Sequence, residues 1–299
     1  MPVVGFLHSA SAVAFEHLAQ KFRDGLSEVG YVDGRNISIE YRWAEGHYDR
    51  LPALVADLVR NQVAVIAAMG TPAGPVAKAA TATIPIVFSI GIDPVKAGLV
   101  TSFDRPGGNA TGVINFGVAA VTKQLELLHK MLPAAVIIAV LMNPNFPTAE
   151  EMTRELHEGA RTLGLELHVL NASDQSEIGT AFATLAQMRV QGLLVAGDPD
   201  FTSRRDQLVA LAARYAVPAI YTFREFPAVG GLMSYSTSLA DAYHQVGIYT
   251  GRILKGEKAA NLPVVQPTRF ELVINLRTAK SLGLTFPPGV LSIADEVIE

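Results

Sequence analysis

Small hydroxyl-bearing residues and glycines follow several apolar runs of this chain, and they favour the binding of a small anion. Where such residues precede a helix, free backbone N–H groups and the helix dipole attract negative charge. Ser9, Ser11 and Thr71 are therefore candidates for holding a ligand carboxylate. The other candidate contacts in these loops are Ala10, Pro72, Ser89, Ile90 and Gly91.

Complementary chemistry follows the apolar runs in the second half of the chain, in Asn143-Pro144-Asn145, Gly197-Asp198-Pro199 and Thr222-Phe223-Arg224-Glu225. Asn143 is a polar candidate there, and Asp198, like Asp93 in the first half, can balance a ligand ammonium. The candidates for apolar or stacking walls are Tyr221, Phe223 and Tyr235. Together these groups predict a zwitterionic amino acid or a related small carboxylate as the ligand.

Each candidate also has a purely structural interpretation. Ser11 and Thr71 are equally suited to be helix N-caps, which contribute about 1 kcal/mol of stability. Asp93, which precedes a proline, is more simply a turn residue, and Asp198 can serve helix entry as well as a ligand. For Tyr221 and Tyr235, aromatic core packing remains the alternative.

Composition and missing motifs exclude several other functions. The 299 residues contain no cysteine, which excludes disulfides and thiolate sites, and the net charge of -4 argues against nucleic acid. There is no G-x-G-x-x-G, no G-x-x-x-x-G-K-[ST] and no G-x-S-x-G. The seven histidines are scattered, and His8, alone among them near the predicted site, suits a hydrogen-bonded structural role. We therefore expect no catalysis, no metal and no cofactor.

Apolar runs that alternate with amphipathic stretches predict an α/β fold with parallel sheets. The predicted strands are Val3–Leu7, Ile37–Arg42, Val63–Ala68, Pro85–Ser89, Thr111–Ile114, Val136–Met142, Glu166–Leu170, Gly192–Ala196, Pro218–Tyr221, Gly231–Ser234 and Phe270–Asn275. The predicted helices are Ala14–Val29, Tyr48–Arg60, Pro72–Ala80, Thr148–Leu163, Glu177–Arg189, Thr202–Tyr215, Leu239–Leu254 and Thr278–Leu282. Two successive series of this kind predict two Rossmann-like lobes.

The last elements are too few for a third domain, so the chain must cross between the lobes more than twice. We expect one lobe to comprise residues 1–115 plus about 238–270, and the other 116–237 plus about 271–299. Several crossings predict a hinge, and a hinged pair of lobes predicts a ligand cleft. In open α/β sheets, ligands bind beyond the carboxyl ends of the strands.

Several motifs resemble the TrpX-like ABC transporter substrate-binding family. They are Glu40-Tyr41-Arg42-Trp43-Ala44-Glu45-Gly46, Gly70-Thr71-Pro72-Ala73, Asp93-Pro94-Val95, Arg105-Pro106-Gly107-Gly108-Asn109, Gly230-Gly231-Leu232-Met233-Ser234-Tyr235 and Phe270-Glu271-Leu272-Val273-Ile274-Asn275. The resemblance implies a type I periplasmic-binding-protein fold with a three-segment hinge, and ligand loops at Ser9–Ser11, Thr71–Pro72, Ser89–Gly91 and Asp198. It also implies delivery of a small ligand, for some members an aromatic amino acid, to a membrane permease.

We therefore expect a solute-binding component of an ABC uptake transporter that closes on its ligand and works as a monomer. The alternatives are a sensory module of the same fold and a cytosolic α/β enzyme. No apolar run reaches the roughly 18 residues that cross a bilayer. The first residues suit a strand and not a secretion signal, so a periplasmic location implies that the signal has been removed.

Overall fold

A computed structural model describes residues 1–115 and 117–299 and divides the chain into two compact units. Unit 1 comprises Met1–Phe116 and Ser238–Thr268, and unit 2 comprises Gly117–Thr237 and Arg269–Glu299. The chain therefore passes from one unit to the other three times. Across the described residues, no helix combines the length and the apolar character that a membrane crossing requires.

Strands and helices alternate through most of the chain. The strands are β1 (Val3–His8), β2 (Ser38–Trp43), β3 (Val65–Met69), β4 (Ile86–Ile90), β5 (Ala110–Ile114), β6 (Ile137–Met142), β7 (Glu166–Asn171), β8 (Gly192–Val195), β9 (Ala219–Tyr221), β10 (Met233–Ser236), β11 (Glu271–Asn275) and β12 (Glu296–Ile298). The helices are α1 (Ala12–Glu28), α2 (Leu51–Arg60), α3 (Ala73–Ala80), α4 (Gly117–Met131), α5 (Ala149–Leu163), α6 (Gln175–Gln187), α7 (Pro199–Ser203), α8 (Arg205–Arg214), α9 (Glu225–Ala228), α10 (Leu239–Leu254), α11 (Leu276–Ser281) and α12 (Pro288–Leu291).

Unit 1 is a five-stranded parallel sheet in the order β2-β1-β3-β4-β5. Adjacent side chains of a strand point to opposite faces, so Leu7 packs with residues of α2 and α3 while Phe6 meets Phe22 of α1. Helices α1 and α10 cross in close contact at two glycines. A Cβ atom at Gly25 would collide with the His244 carbonyl oxygen, and one at Gly247 would collide with backbone of α1.

Unit 2 contains a seven-stranded sheet in the order β12-β11-β10-β9-β8-β6-β7. Strand β11 runs antiparallel to β10, and the other pairs are parallel. Residues of α4 and α5 cover one face of the sheet, and residues of α6 and α8 cover the other. Both units are therefore α/β layers whose central strands are buried on two sides, as their apolar runs predict.

The predicted strands all form, with ends shifted by one or two residues, and α10 has the predicted bounds. The helix predicted over Thr202–Tyr215 was wrong, because two helices occupy this stretch. The first begins earlier, at Pro199, where proline stands at the first helical position and Asp198 caps the N-terminus, and the chain bends at Arg204. Helix α4 was not predicted, nor were the short elements α9, α12 and β12.

Candidate ligand-binding site

The loop after β1 is held by a turn that follows β2. Backbone N–H groups of residues 44–46 donate to the carbonyl oxygens of residues 8–10 over 2.9 to 3.2 Å. Glu45 and Gly46 adopt left-handed conformations, with φ of 57° and 81°, and this reversal aligns the N–H groups. Backbone hydrogen bonds from this turn therefore hold the loop that we expect to contact a ligand.

The buried side chain of His8 holds the same loop through hydrogen bonds. Its Nδ1 accepts the Ala10 N–H at 2.8 Å, so the neutral ring carries its proton on Nε2 and donates to the Tyr243 hydroxyl at 2.6 Å. The ring is fully buried and packs against Phe15 and Trp43. Burial lowers the pKa of His8 to about 3, so the residue stays neutral. These contacts make His8 the hydrogen-bonded structural residue that its position predicted.

The N-terminus of α1 contains the serines predicted to hold a carboxylate. Ser9 is fully buried, and its hydroxyl has no hydrogen-bond partner in the part of the chain that the structure describes. Ser11 is the N-cap residue, but its side chain makes no capping hydrogen bond. Glu45 instead supplies a carboxylate oxygen that accepts the Ala12 N–H at 3.2 Å. An acidic side chain of the protein thus already lies at this helix end.

Side chains join the neighbouring loops of unit 1. The Thr71 hydroxyl oxygen accepts the Gly91 N–H at 2.8 Å, which ties the loop after β3 to the loop after β4. The Asn115 side-chain amide donates to the Ser89 hydroxyl at 3.0 Å, which ties the end of β4 to the loop after β5. Three parallel strands therefore end in cross-linked polar loops at one edge of the sheet.

Two further candidates in these loops have clear structural positions. Pro72 is the N-cap residue of α3. Ile90 is fully buried and belongs to the hydrophobic core of unit 1. Both shape the loops around Thr71 and Gly91.

Asp93 forms a turn. Its carboxylate oxygen accepts the backbone N–H groups of Val95 and Lys96 at 2.8 and 3.2 Å. This is the interpretation that the following proline favoured, and it confirms Asp93 as a turn residue.

Asp198 lies at the carboxyl end of β8 in unit 2, where it is 2% exposed. Its Oδ1 caps α7 by accepting the N–H groups of Asp200 and Phe201 at 2.8 and 3.1 Å. Its Oδ2 accepts a hydrogen bond from the Asn143 side chain at 3.2 Å. The structure thus brings together two predicted site residues from separate loops, and it leaves a buried carboxylate at this edge of the sheet.

The aromatic candidates of unit 2 occupy different environments. Tyr221 is buried in the core and stacks on Phe226 with 4.5 Å between ring centroids, and burial raises the pKa of its hydroxyl. Tyr221 therefore has the core-packing role, which was one of its two interpretations from the sequence. Tyr235 is half-buried and stacks on Phe270, and Phe223 is half-buried in the loop after β9.

Sequence reasoning missed two residues at these edges. Trp43 ends β2, is half-buried, and stacks on His8 with 4.7 Å between ring centroids. Gln124 lies fully buried in the apolar face of α4 and donates to the Tyr235 carbonyl oxygen at 2.8 Å. The signal for Trp43 was its place directly after a predicted strand, with one residue between it and the Glu45-Gly46 turn. The signal for Gln124 was an amide between Val121 and Leu128 on a helical stripe that is otherwise apolar.

The described residues contain no group of three histidine, cysteine, aspartate or glutamate side chains that would hold a metal ion. At the carboxyl edge of the unit 1 sheet, the available groups are buried hydroxyls and the partly exposed ring of Trp43. At that of unit 2, they are amide side chains, the carboxylate that caps α7 and partly exposed aromatic rings. Hydroxyls suit hydrogen bonding to a carboxylate, and a carboxylate suits an ammonium group.

Known proteins resemble this chain over nearly its whole length. The model of the ABC transporter substrate binding protein family matches residues 4–298. A tyrosine-binding protein of Clostridioides difficile (strain R20291) is 27% identical over 263 residues, which are 88% of this chain and 75% of that protein. The solved structure of the ABC domain in complex with L-Trp from Streptococcus pneumonia is 27% identical, with a TM-score of 0.88 and 99% of both chains covered.

A conserved domain protein from Vibrio cholerae has a solved structure that is 26% identical to this chain, with a TM-score of 0.90 and 99% of both chains covered. A periplasmic binding protein from Alkaliphilus metalliredigens, 13% identical and with a TM-score of 0.61, covers 91% of this chain and 97% of its own and shows the fold alone. These structures confirm the predicted α/β fold of the type I periplasmic binding proteins.

Proposed function

Because this chain belongs to the ABC transporter substrate-binding protein family, we propose that it binds an aromatic amino acid outside the cytoplasm and delivers it to a membrane permease. Membership confirms the resemblance inferred from the motifs, and it also confirms that the chain is a binding protein and not an enzyme. The observation that carries the proposal is the fully buried Ser9 hydroxyl, which lacks a partner among the described residues and lies in the loop that leads into α1.

The ligand class is inferred from relatives and from chemistry. The Clostridioides relative is a tyrosine-binding protein, and the streptococcal structure contains L-Trp. In unit 1, we assign the ligand carboxylate to the hydroxyls of Ser9 and Ser11, with Thr71 fixing the adjacent loops. In unit 2, we assign the ammonium to Asp198, whose buried carboxylate lies at the carboxyl end of β8.

The aromatic side chain of such a ligand needs apolar contact area and stacking partners. Trp43 in unit 1 and Phe223 and Tyr235 in unit 2 are partly exposed rings next to the polar loops. Aliphatic amino acids would use the same polar groups but gain little from these rings. We therefore expect a preference for tryptophan, tyrosine or phenylalanine over leucine.

Thermal melting with added amino acids tests the ligand class directly. A ligand that binds only the folded chain at 100 times its Kd stabilises it by about 2.7 kcal/mol. L-tryptophan, L-tyrosine or L-phenylalanine should raise the melting temperature by several degrees, whereas L-leucine and L-lysine should not. Isothermal titration should then give one site per chain. If none of the three aromatic amino acids binds, the proposed ligand class is wrong.

Transport is tested in cells. Deleting the gene should reduce uptake of the labelled amino acid, and the wild-type gene should restore it, whereas the Asp198→Ala variant should restore it poorly. Unchanged uptake would contradict the transport role even if binding is observed. We also propose that the chain acts as a monomer, which sedimentation with and without the amino acid would establish.

A further inference from the structure

Gln124 is a polar residue in an apolar environment. It lies on α4, where Val121, Leu125 and Leu128 of the same helical face belong to the hydrophobic core of unit 2. Its own side chain is fully buried. Buried amides normally satisfy both their N–H groups and their carbonyl oxygen, so the partners of Gln124 are informative.

The donor end of this amide is fixed. Its Nε2 donates to the Tyr235 carbonyl oxygen at 2.8 Å and lies 3.4 Å from the Thr222 hydroxyl. Reversing the amide would point its oxygen at the Tyr235 carbonyl oxygen, and two acceptors would then face each other. The protein therefore specifies which end of the Gln124 amide points away from Tyr235.

The acceptor end of the amide is unpaired among the described residues. Gln124 Oε1 is buried and has no hydrogen-bond partner within residues 1–115 and 117–299. This amide lies at the carboxyl edge of the unit 2 sheet, because Thr222 directly follows β9 and Tyr235 is the second-last residue of β10. Thr222 also lies against Gly197, the residue before Asp198, because a Cβ atom at Gly197 would come within 3.1 Å of the Thr222 hydroxyl oxygen, a tight contact.

We propose that Gln124 Oε1 accepts a hydrogen bond from the α-ammonium group of the bound amino acid. This assignment rests on the proposed function and makes Gln124 a specificity-determining residue of the same site. Asp198 supplies a negative charge, which attracts any cation, whereas a neutral and oriented carbonyl oxygen requires an N–H at one position. A carboxylate ligand without an amino group would leave this buried oxygen unpaired, and the site would discriminate against it.

The test compares two ligands on matched variants. L-tryptophan and indole-3-propionate differ in the amino group, and Gln124→Met keeps the side-chain length while removing the amide. The variant should bind L-tryptophan at least tenfold more weakly and indole-3-propionate with an affinity within twofold of wild type. The ratio of the two affinities should therefore fall about tenfold. As a control, Gln187→Met replaces an exposed glutamine at the end of α6 and should change neither affinity.

A second variant guards against a folding defect in Gln124→Met. Gln124→Asn keeps a polar amide but withdraws the oxygen by one methylene, so it should reduce the same ratio. Melting curves without ligand establish that each variant is folded. If both folded variants keep the wild-type ratio, or weaken both ligands equally, Gln124 has only a packing role and the assignment is wrong.

The two proposals fail in different ways. If wild-type protein binds no aromatic amino acid, the proposed function is wrong and the assignment of Gln124 falls with it. If wild type and the variants bind L-tryptophan with the same preference over indole-3-propionate, the proposed function stands and only the assignment of Gln124 is refuted.

Discussion

Acidification should destabilise the protein through His8. Its pKa is about 3 in the folded chain, against 6.5 for an exposed imidazole, because the ring is fully buried. Between these two values the unfolded chain binds one proton more than the folded chain, so stability falls as the pH decreases. The slope is about 1.4 kcal/mol per pH unit for a single group. The unfolded imidazole is only half protonated at pH 6.5, so from pH 6.5 to pH 4.5 His8 should cost about 2 kcal/mol of unfolding free energy.

Urea unfolding at several pH values from 7.5 to 4.5 measures this cost in wild type and in His8→Gln. The glutamine can still donate to Tyr243 but does not titrate, so its stability should depend less steeply on pH, whatever its stability at pH 7.5. As a control, Gln187→Met replaces an exposed residue that does not titrate and should keep the wild-type slope. Equal slopes for wild type and His8→Gln would show that His8 is not a buried neutral histidine, and they would refute the reasoning.

Other expectations concern packing, charge and ligand position. Gly25→Ala should cost at least about 2 kcal/mol in denaturant unfolding, because its Cβ would meet the His244 carbonyl oxygen. Gly179→Ala, which has open space in α6, should instead stabilise by about 0.5–1 kcal/mol. Asp198→Ala should bind L-tyrosine more than tenfold more weakly in calorimetry, and it should lose about 1 kcal/mol of unfolding free energy because the helix cap is removed. Unchanged affinity would show that Asp198 only caps the helix. Trp43 is the single tryptophan of the chain, so the fluorescence emission of the protein should change when L-tyrosine binds. Constant emission at saturation would show that the ligand does not bind at the ends of β1 and β2.

Hydrophobic periodicity was sufficient for most of the fold. The central strands are buried on both faces, so each of them appears in the sequence as an apolar run of the right length. Helix α10 was predicted over its full length because one amphipathic pattern runs up to the Lys255-Gly256 stop, and the structure adds Ser238 as the N-cap. Helix α4 has a similar stripe in Val121, Leu125 and Leu128 and was overlooked, although nothing in its sequence hides it.

The break between α7 and α8 could not be located in the same way. Residues Thr202–Tyr215 have a helical pattern throughout, and the sequence does not reveal where one helix ends and the next begins. The cap at Asp198 starts α7 three residues before the predicted helix, and Arg204, with φ of -99° and ψ of 19°, then interrupts the helical conformation. Local propensity fixes the helix type here, while capping contacts fix the boundaries.

The site was harder to predict than the fold because its residues have structural roles as well. Thr71 and Asp198 were equally suited to capping and to ligand binding, and the structure engages both with backbone N–H groups. Tyr221 and Tyr235 have the same side chain at the ends of neighbouring strands, yet one is core and the other is partly exposed. Burial of this kind depends on which face of the strand the residue occupies and on what packs above it.

A hydrogen bond inside the protein does not distinguish a site residue from a scaffold residue, whereas an unpaired buried polar atom at the carboxyl edge of a sheet indicates a place for a ligand. Leaving a buried acceptor unpaired costs about 1–3 kcal/mol, so such an atom persists more readily where a ligand can satisfy it. Ser9 Oγ and Gln124 Oε1 are of this type, and each lies next to a loop at the carboxyl edge of its own sheet. A sequence lists hydroxyls and amides but does not reveal which will lack partners after folding. The serine was therefore predicted only as one of several similar residues, and the glutamine was missed.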